Sequence, residues 1–70
     1  MPPKIRELKK QLRRAGFSSR PGKGSHTVWT HPALPKDELT LSGNEGDDAQ
    51  SYQQLDVRNI LKKLREAQEK

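Results

Sequence analysis

Apolar residues recur at helical spacing near the start of the chain, over residues 3–15. Pro3 fits the first position of a helix, because its missing N–H group costs nothing there. Gly16 follows the pattern, and in a left-handed conformation it would let Phe17 close onto Leu12 in a Schellman ending. The spacing therefore predicts a first helix that ends at Gly16. Its apolar stripe comprises Ile5, Leu8, Leu12 and Ala15.

A second pattern of helical spacing covers residues 54–68. Ser51 and Gln54 form a capping-box pair in front of it, which predicts where the second helix begins. Leu55 lies beside the apolar stripe of this helix. The stripe itself comprises Val57, Ile60, Leu61 and Leu64.

Three shorter segments between the helices favour β-strands. Residues 17–20 are extended in character, and residues 25–30 are rich in β-branched and aromatic side chains. Residues 38–42 alternate, with Leu39 and Leu41 on one side. A turn and two loops are predicted to connect these elements. The turn is at residues 21–24, and the loops are at 32–37 and 43–50.

In the middle strand, alternation places Val28 on one face and Trp29 on the other, so periodicity does not decide which face is buried. Because a small core with one Trp usually uses it, we expect Trp29 in the core rather than as a base-stacking platform. His26 shares the face of Val28 in this alternation. His31 has the opposite parity and precedes Pro32, which keeps it extended, so we expect it to be structural or partner-facing.

The order of the elements predicts an α+β fold of the type α-β-β-β-α. Short connections between three strands favour an antiparallel sheet. Each helix has one apolar face, so the two helices are expected to pack on the same face of the sheet and to leave the other face open. A chain of 70 residues makes one small domain at most, which predicts a single domain over residues 1–70.

Composition narrows the class of protein further. Only 29% of the residues are hydrophobic, so a domain of this size has marginal stability without a staple or partner. Cysteine is absent, which excludes disulfides and thiolate metal sites and fits a reducing cytosol. No apolar run approaches membrane-spanning length and no signal peptide is visible, so we expect a soluble protein with no membrane partner.

The charge is unevenly distributed, although the formal net charge is only +5. Residues 1–31 hold eight Lys and Arg against Glu7 alone, a net of +7, whereas residues 36–50 have a net of −4. The basic front half predicts affinity for a polyanion, of which nucleic acid is the first candidate. The alternative interpretation of this charge is a basic helix that is simply solvated. The acidic segment 43–50 lacks the spacing of a calcium-binding EF-hand loop and is expected to be a solvated loop.

Residues 22–29 combine the groups that a phosphodiester-handling site needs. The two glycines let the backbone turn and let a phosphate come close. Lys23 offers a positive charge, Ser25 a hydroxyl, and His26 an imidazole that can take or give a proton near neutral pH. A Gly-Lys-Gly turn before Ser-His is also typical of an ordinary hairpin connection, so the pattern alone leaves both interpretations open.

The chain resembles the HicA family, small bacterial mRNA interferase toxins of type II toxin–antitoxin pairs. The resemblance rests on Ala-Gly-Phe at 15–17, Gly-Ser-His at 24–26 and Trp-Thr-His-Pro at 29–32, followed by an amphipathic helix. It covers nearly the whole chain, and its most specific part is Gly-Ser-His together with the Leu-x-x-x-Gly-Phe helix ending. It implies a fold like the double-stranded-RNA-binding domain, mRNA as substrate, a HicB-type antitoxin as partner, and the bacterial cytoplasm as location.

The resemblance also assigns roles to residues. His26 corresponds to the catalytic histidine of the family, and Gly24 and Ser25 match the residues before it. Trp29 matches an aromatic or aliphatic position of the family pattern. The chain departs from the pattern at Thr27, where many members carry a second histidine, and after the third strand, where its segment is longer and more acidic than in many members.

A nuclease of this sequence is expected to work without a metal or another cofactor, because no clustered carboxylate or histidine set accompanies the basic face. The 2′-hydroxyl of RNA would be the nucleophile, with His26 as general base or as the acid for the leaving 5′-oxygen. Arg20, Lys23, Gly24 and Ser25 are the predicted RNA-binding residues, with cations and backbone N–H groups on the phosphate. In the alternative interpretation, Arg20 and Lys23 are simply exposed.

Two other classes of function remain open at this point. One is a non-catalytic nucleic-acid-binding module, and the other is a protein-interaction adaptor that docks through the acidic loop. True double-stranded-RNA-binding domains grip phosphates with a Lys-rich cluster at the start of the second helix. Here residues 53–56 read Gln-Gln-Leu-Asp, which argues against that use. Tyr52 is expected to hold the loop before this helix in place.

Overall fold

The computed structural model describes residues 1–69 and confirms the predicted α+β fold, with the order α-β-β-β-α. The strands form one antiparallel sheet in the order β1-β2-β3, and the helices pack on one of its faces. Only Lys70 of the predicted domain lies outside the described residues. The elements are α1 (Ile5–Arg14), β1 (Ser18–Pro21), β2 (Thr27–His31), β3 (Leu34–Leu41) and α2 (Ser51–Gln68).

Helix α1 ends in the Schellman motif that the sequence predicts. The N–H of Gly16 donates to the carbonyl of Arg13 at 3.0 Å, and the N–H of Phe17 donates to the carbonyl of Leu12 at 3.0 Å. Gly16 has a φ of +95°, which a residue with a Cβ rarely adopts. Phe17 and Leu12 are both buried in the same apolar cluster, so the motif closes the helix against the core.

Trp29 decides which face of β2 is buried. It is 1% exposed and shares the core with Leu39 and Leu41 of β3, as expected, whereas Val28 and Thr30 lie half-buried on the opposite face. The larger aromatic side chain gains more from burial than the valine, so it takes the face that the helices cover. The core comprises Ile5, Leu8, Leu12, Phe17, Trp29, Leu34, Leu39, Leu41, Ala49, Val57, Ile60 and Leu64.

Strand β3 begins earlier than predicted, and most of the loop expected over residues 32–37 is strand. Leu34 is 8% exposed and pairs with His31, with a shift of register between Thr30 and His31. Pro35 is tolerated because β3 is an edge strand, where a missing N–H need not break a ladder. Burial of Leu34 therefore outweighs the turn preference of the prolines.

The predicted capping box of Ser51 and Gln54 is wrong by one residue. Oε1 of Gln53 accepts a hydrogen bond of 2.8 Å from the backbone N–H of Gln50, which is the residue before the helix. Gln53 is buried, and its side-chain amide donates to the carbonyl of Ser42 at 2.9 Å. This tertiary contact to the end of β3 fixes the start of α2, and it is not visible in the local sequence.

Tyr52 does not hold the preceding loop. Its side chain is 54% exposed and makes no hydrogen bond with any residue from 1 to 69. Leu55, which the sequence places beside the apolar stripe of α2, is 52% exposed.

The acidic segment 43–50 is exposed over residues 44–48, as expected of a solvated loop, but its backbone also closes the N-terminus of α1. The N–H of Ile5 donates to the carbonyl of Asp47 at 2.9 Å, and the N–H of Arg6 donates to the carbonyl of Glu45 at 3.2 Å. Ala49 is buried, and its N–H donates to the carbonyl of Pro3 at 2.8 Å. The bonds donated by Ile5 and Arg6 satisfy helix N–H groups that would otherwise need a side-chain cap or water.

Candidate nucleic-acid interface

The β1–β2 loop, residues 22–26, carries the candidate chemistry and has a defined backbone. The N–H of Gly22 donates to the carbonyl of His26 at 2.8 Å, and the N–H of His26 donates to the carbonyl of Lys23 at 3.0 Å. Gly24 has a φ of +58° at the first central position of this turn, as a type II′ turn requires. The loop is therefore a closed hairpin connection rather than an irregular segment.

His26 lies in this loop and not in the strand, so the predicted strand over residues 25–30 starts two residues too early. Its direction is set by the turn, and strand alternation does not apply to it. The side chain is exposed, and its ring forms no hydrogen bond within residues 1–69. A Cβ on Gly22 would lie 3.3 Å from the Cβ of His26, so the glycine makes room for the histidine. Both ring nitrogens of His26 are open to solvent or to a bound molecule.

Ser25 has a structural contact that the sequence did not predict. Its Oγ accepts a hydrogen bond of 3.1 Å from the N–H of Gly43, which ties the β1–β2 loop to the segment after β3. The hydroxyl proton of Ser25 is still free to donate to a phosphate oxygen. Gly43 in turn lies against α1, since a Cβ at this position would be 3.5 Å from Cγ1 of Ile5. The loop, the acidic segment and the start of α1 therefore meet at one end of the molecule.

The predicted phosphate contacts fall into two groups. Lys23 and Gly24 are exposed beside His26 in the loop, and Lys23 forms no ion pair with the described residues. Arg20 lies on β1 next to the loop, where its Nη2 is 3.3 Å from Oε2 of Glu38. Both side chains of this pair are more than half exposed, and exposed pairs contribute little to stability. A phosphate can therefore compete with Glu38 for Arg20.

The acidic segment also neutralises part of the basic front half. Lys4 pairs with Asp48, and Nζ of Lys9 lies 3.7 Å from Oε1 of Glu45. Sequence reasoning missed these pairs because the partners are about forty residues apart and the segment was expected to be solvated. Within the described part of the chain, the basic residues of 1–31 that form no ion pair are Arg6, Lys10, Arg13, Arg14 and Lys23.

His31 does not join the site, because its ring is used inside the fold. Nε2 donates to the carbonyl of Ala15 at 3.1 Å, and Nδ1 accepts from the N–H of Ala33 at 2.9 Å. The ring also meets the edge of Phe17, with 5.1 Å between centroids. It therefore links the end of α1 to the β2–β3 turn, which is the structural role expected from the sequence.

Replacing His31 with alanine is expected to lower the free energy of unfolding by about 1–3 kcal/mol, because a part-buried carbonyl and an N–H lose their partners. Urea denaturation measures this change. His26→Ala is the matched control, and as an exposed substitution it should cost at most about 1 kcal/mol. Equal stability of the two variants would show that the contacts of His31 do not hold the fold.

No family model matches the chain, and no curated protein and no solved structure matches it either. Among residues 1–69, no set of three or more His, Asp or Glu side chains is placed to hold a metal ion. Neither helix has both the length and the apolar content that crossing a membrane would require, as far as residue 69. The similarity to HicA toxins therefore stays a prediction from the sequence.

Proposed function

We propose that this protein is an endoribonuclease toxin of the HicA type, with His26 as the acid or base that acts on RNA. The observation that supports it most strongly is the state of His26, an exposed imidazole without a hydrogen-bond partner in residues 1–69, on a hydrogen-bonded turn next to Lys23. A histidine with a structural role would use its nitrogens as His31 does. A rigid turn that presents a free imidazole beside a cation suits proton transfer at a phosphodiester.

The proposed reaction uses the 2′-hydroxyl of the substrate as nucleophile. His26 removes the 2′ proton as the oxygen attacks the adjacent phosphorus, the bond between phosphorus and the 5′-oxygen breaks, and the leaving 5′-oxygen takes a proton from water. The products are a 2′,3′-cyclic phosphate and a new 5′-hydroxyl end. Lys23, the Ser25 hydroxyl and free N–H groups of the turn bind the negative charge of the phosphorane, and Arg20 holds a neighbouring phosphate.

The proposal includes a protein partner. A toxin that cleaves mRNA in the bacterial cytoplasm needs an antitoxin, and the resemblance names a HicB-type protein. The open face of the sheet, around Val28 and Thr30, is next to the β1–β2 loop and is available to such a partner. The test is growth arrest on expression of the chain, relief by co-expression of a small neighbouring gene product, and RNA cleavage by the purified chain. The decisive variant is His26→Ala.

A non-catalytic nucleic-acid-binding module is the second candidate. At the start of α2, Gln53 is buried and Tyr52 is exposed, and no basic side chain precedes Arg58 in this helix. The helix start therefore lacks the cations with which a double-stranded-RNA-binding domain grips phosphates. Binding of RNA without any cleavage by the wild-type protein would support this second candidate.

An adaptor that docks through the acidic loop fits less well, because that loop is already paired with α1.

RNA binding is expected to weaken as salt rises, since Lys and Arg displace counterions from phosphates. Two or three phosphate contacts on single-stranded RNA correspond to a loss of roughly tenfold between 50 and 200 mM salt. Fluorescence anisotropy with labelled RNA and the His26→Ala protein measures this without cleavage. In this His26→Ala background, Lys23→Ala should reduce the dependence of RNA affinity on salt concentration, whereas Lys36→Ala, on β3, should leave it unchanged. A salt dependence of zero in the His26→Ala protein with Lys23 intact would contradict nucleic-acid binding by this loop.

A further inference from the structure

A groove of about 770 Å³ runs between the two helices and receives no residue from the sheet. Its apolar lining comes from Pro3 and Leu8 on one side and from Leu55 and Leu61 of α2 on the other. Leu55 is half exposed and Leu61 is half-buried, so apolar surface in the groove is accessible to a binding partner. A single exposed leucine is ordinary in a soluble protein, but here exposed Leu55 lies with half-buried Pro3 and Leu61 along one groove, above the buried Leu8.

The charged lining of the groove is basic, and its other polar residues, Gln11, Ser51 and Gln54, are neutral. Arg58, Lys62 and Arg65 recur at spacings of four and three, which places them on one side of α2, and all three are exposed. No Asp or Glu contributes to the lining, and none of the three cations is in an ion pair within residues 1–69. Arg58 and Lys62 are like charges four residues apart, a spacing that destabilises a helix slightly.

We propose that this groove docks an acidic amphipathic helix of a partner protein. The residues from Ser51 to Arg65 span about 21 Å at 1.5 Å per residue, which accommodates roughly four turns of a partner helix. Apolar side chains of that helix would fill the floor between Leu8 and Leu55, and its carboxylates would meet Arg58 and Lys62. This is the helix-in-groove mode of recognition.

The apolar floor favours a protein helix over nucleic acid. Phosphates and sugars gain nothing from Leu8, Leu55 and Leu61, and no aromatic side chain lines the groove for a base to stack on. An acidic amphipathic helix would pair its carboxylates with the cations and pack its apolar side chains against the apolar surface. The groove does not include His26 or the β1–β2 loop, so peptide binding and ribonuclease activity are tested independently of each other.

The test uses a designed helical peptide of about 18 residues with Leu at helical spacing and Glu on both flanks. Fluorescence anisotropy of the labelled peptide should show micromolar binding to the purified protein. Binding should fall about tenfold or more in Lys62→Glu and in Leu55→Ser, and it should be unchanged in Lys36→Glu, which makes the same charge change on β3. The same peptide with Lys in place of Glu should not bind.

Amide chemical shifts locate the peptide, and circular dichroism shows that each variant is folded. Shift changes confined to α1 and α2 support the proposal. The proposal is overturned by absence of binding, by equal binding of the Lys-flanked peptide, or by shift changes on the open sheet face. It is also overturned if Lys62→Glu weakens binding of an RNA oligonucleotide and leaves the peptide unaffected, because the groove would then be a nucleic-acid contact.

Discussion

Replacing His26 with alanine is expected to reduce RNA cleavage by roughly a hundredfold or more, the usual value of a positioned general base. The same variant should lose growth arrest. It should stay folded, because the side chain is exposed and makes no hydrogen bond within the described residues. It should still bind RNA, because Lys23 and the turn remain. Cleavage is measured from the 2′,3′-cyclic phosphate ends of a defined oligonucleotide, with and without chelator.

The controls separate chemistry from folding. His31→Ala should keep its cleavage rate under conditions where it is folded, even though it is the less stable of the two histidine variants. Lys23→Ala should weaken RNA binding and cleavage together, because it removes a charge on the phosphate rather than the proton acceptor. A folded His26→Ala protein that cleaves RNA at the wild-type rate would refute the proposed role of His26.

The two helices and the end of α1 could be predicted because their determinants are local. The stripe from Ile5 to Leu12 and the Gly16–Phe17 ending lie within about twelve residues of one another, and each needs only its neighbours to act. The turn was predicted at residues 21–24, whereas in the fold Pro21 belongs to β1 and the turn is centred on Gly24 and Ser25. The antiparallel pairing of the strands was predicted from the short connections, which leave few alternatives.

The error at the start of α2 and the contacts that sequence reasoning missed arise between distant residues. Gln53 bonds to Ser42, and this moves the start of α2 by one residue. Asp47 and Glu45 cap α1 through backbone carbonyls, which carry no side-chain pattern to recognise. Ser25 was predicted to contact RNA by its chemistry alone, and its contact with Gly43 became visible only in the fold.

These distant contacts change how the charge of the chain should be interpreted. The net of +7 on residues 1–31 suggests a broad basic surface. In the fold, Lys4 and Lys9 pair with the acidic segment, and Arg20 pairs with Glu38. Cations near the β1–β2 loop are therefore fewer than the sequence suggests, and we expect a short RNA footprint with a modest salt dependence rather than a tight polyanion surface.

Replacing Trp29 with alanine is expected to lower the free energy of unfolding by about 3–5 kcal/mol, the usual cost of removing a large aromatic side chain from a core. A domain of this size has a total stability of roughly 4–10 kcal/mol, so the variant should be partly or wholly unfolded at 37 °C. Trp29 is 1% exposed, its indole N–H donates to Oγ1 of Thr27 at 2.9 Å, and the guanidinium of Arg13 lies 5.4 Å from its ring. Urea denaturation followed by circular dichroism measures the loss.

Trp29→Phe is the matched control, because it keeps an aromatic ring in the core and removes only part of the volume and the N–H. We expect Trp29→Phe to lower the free energy of unfolding by about 1–2 kcal/mol less than Trp29→Ala does, and we expect it to remain folded at 37 °C. If Trp29 were instead a stacking platform for RNA bases, Trp29→Ala would fold normally and lose RNA affinity. A stable Trp29→Ala protein with weakened RNA binding would therefore contradict the core role, and with it the assignment of the buried face of β2.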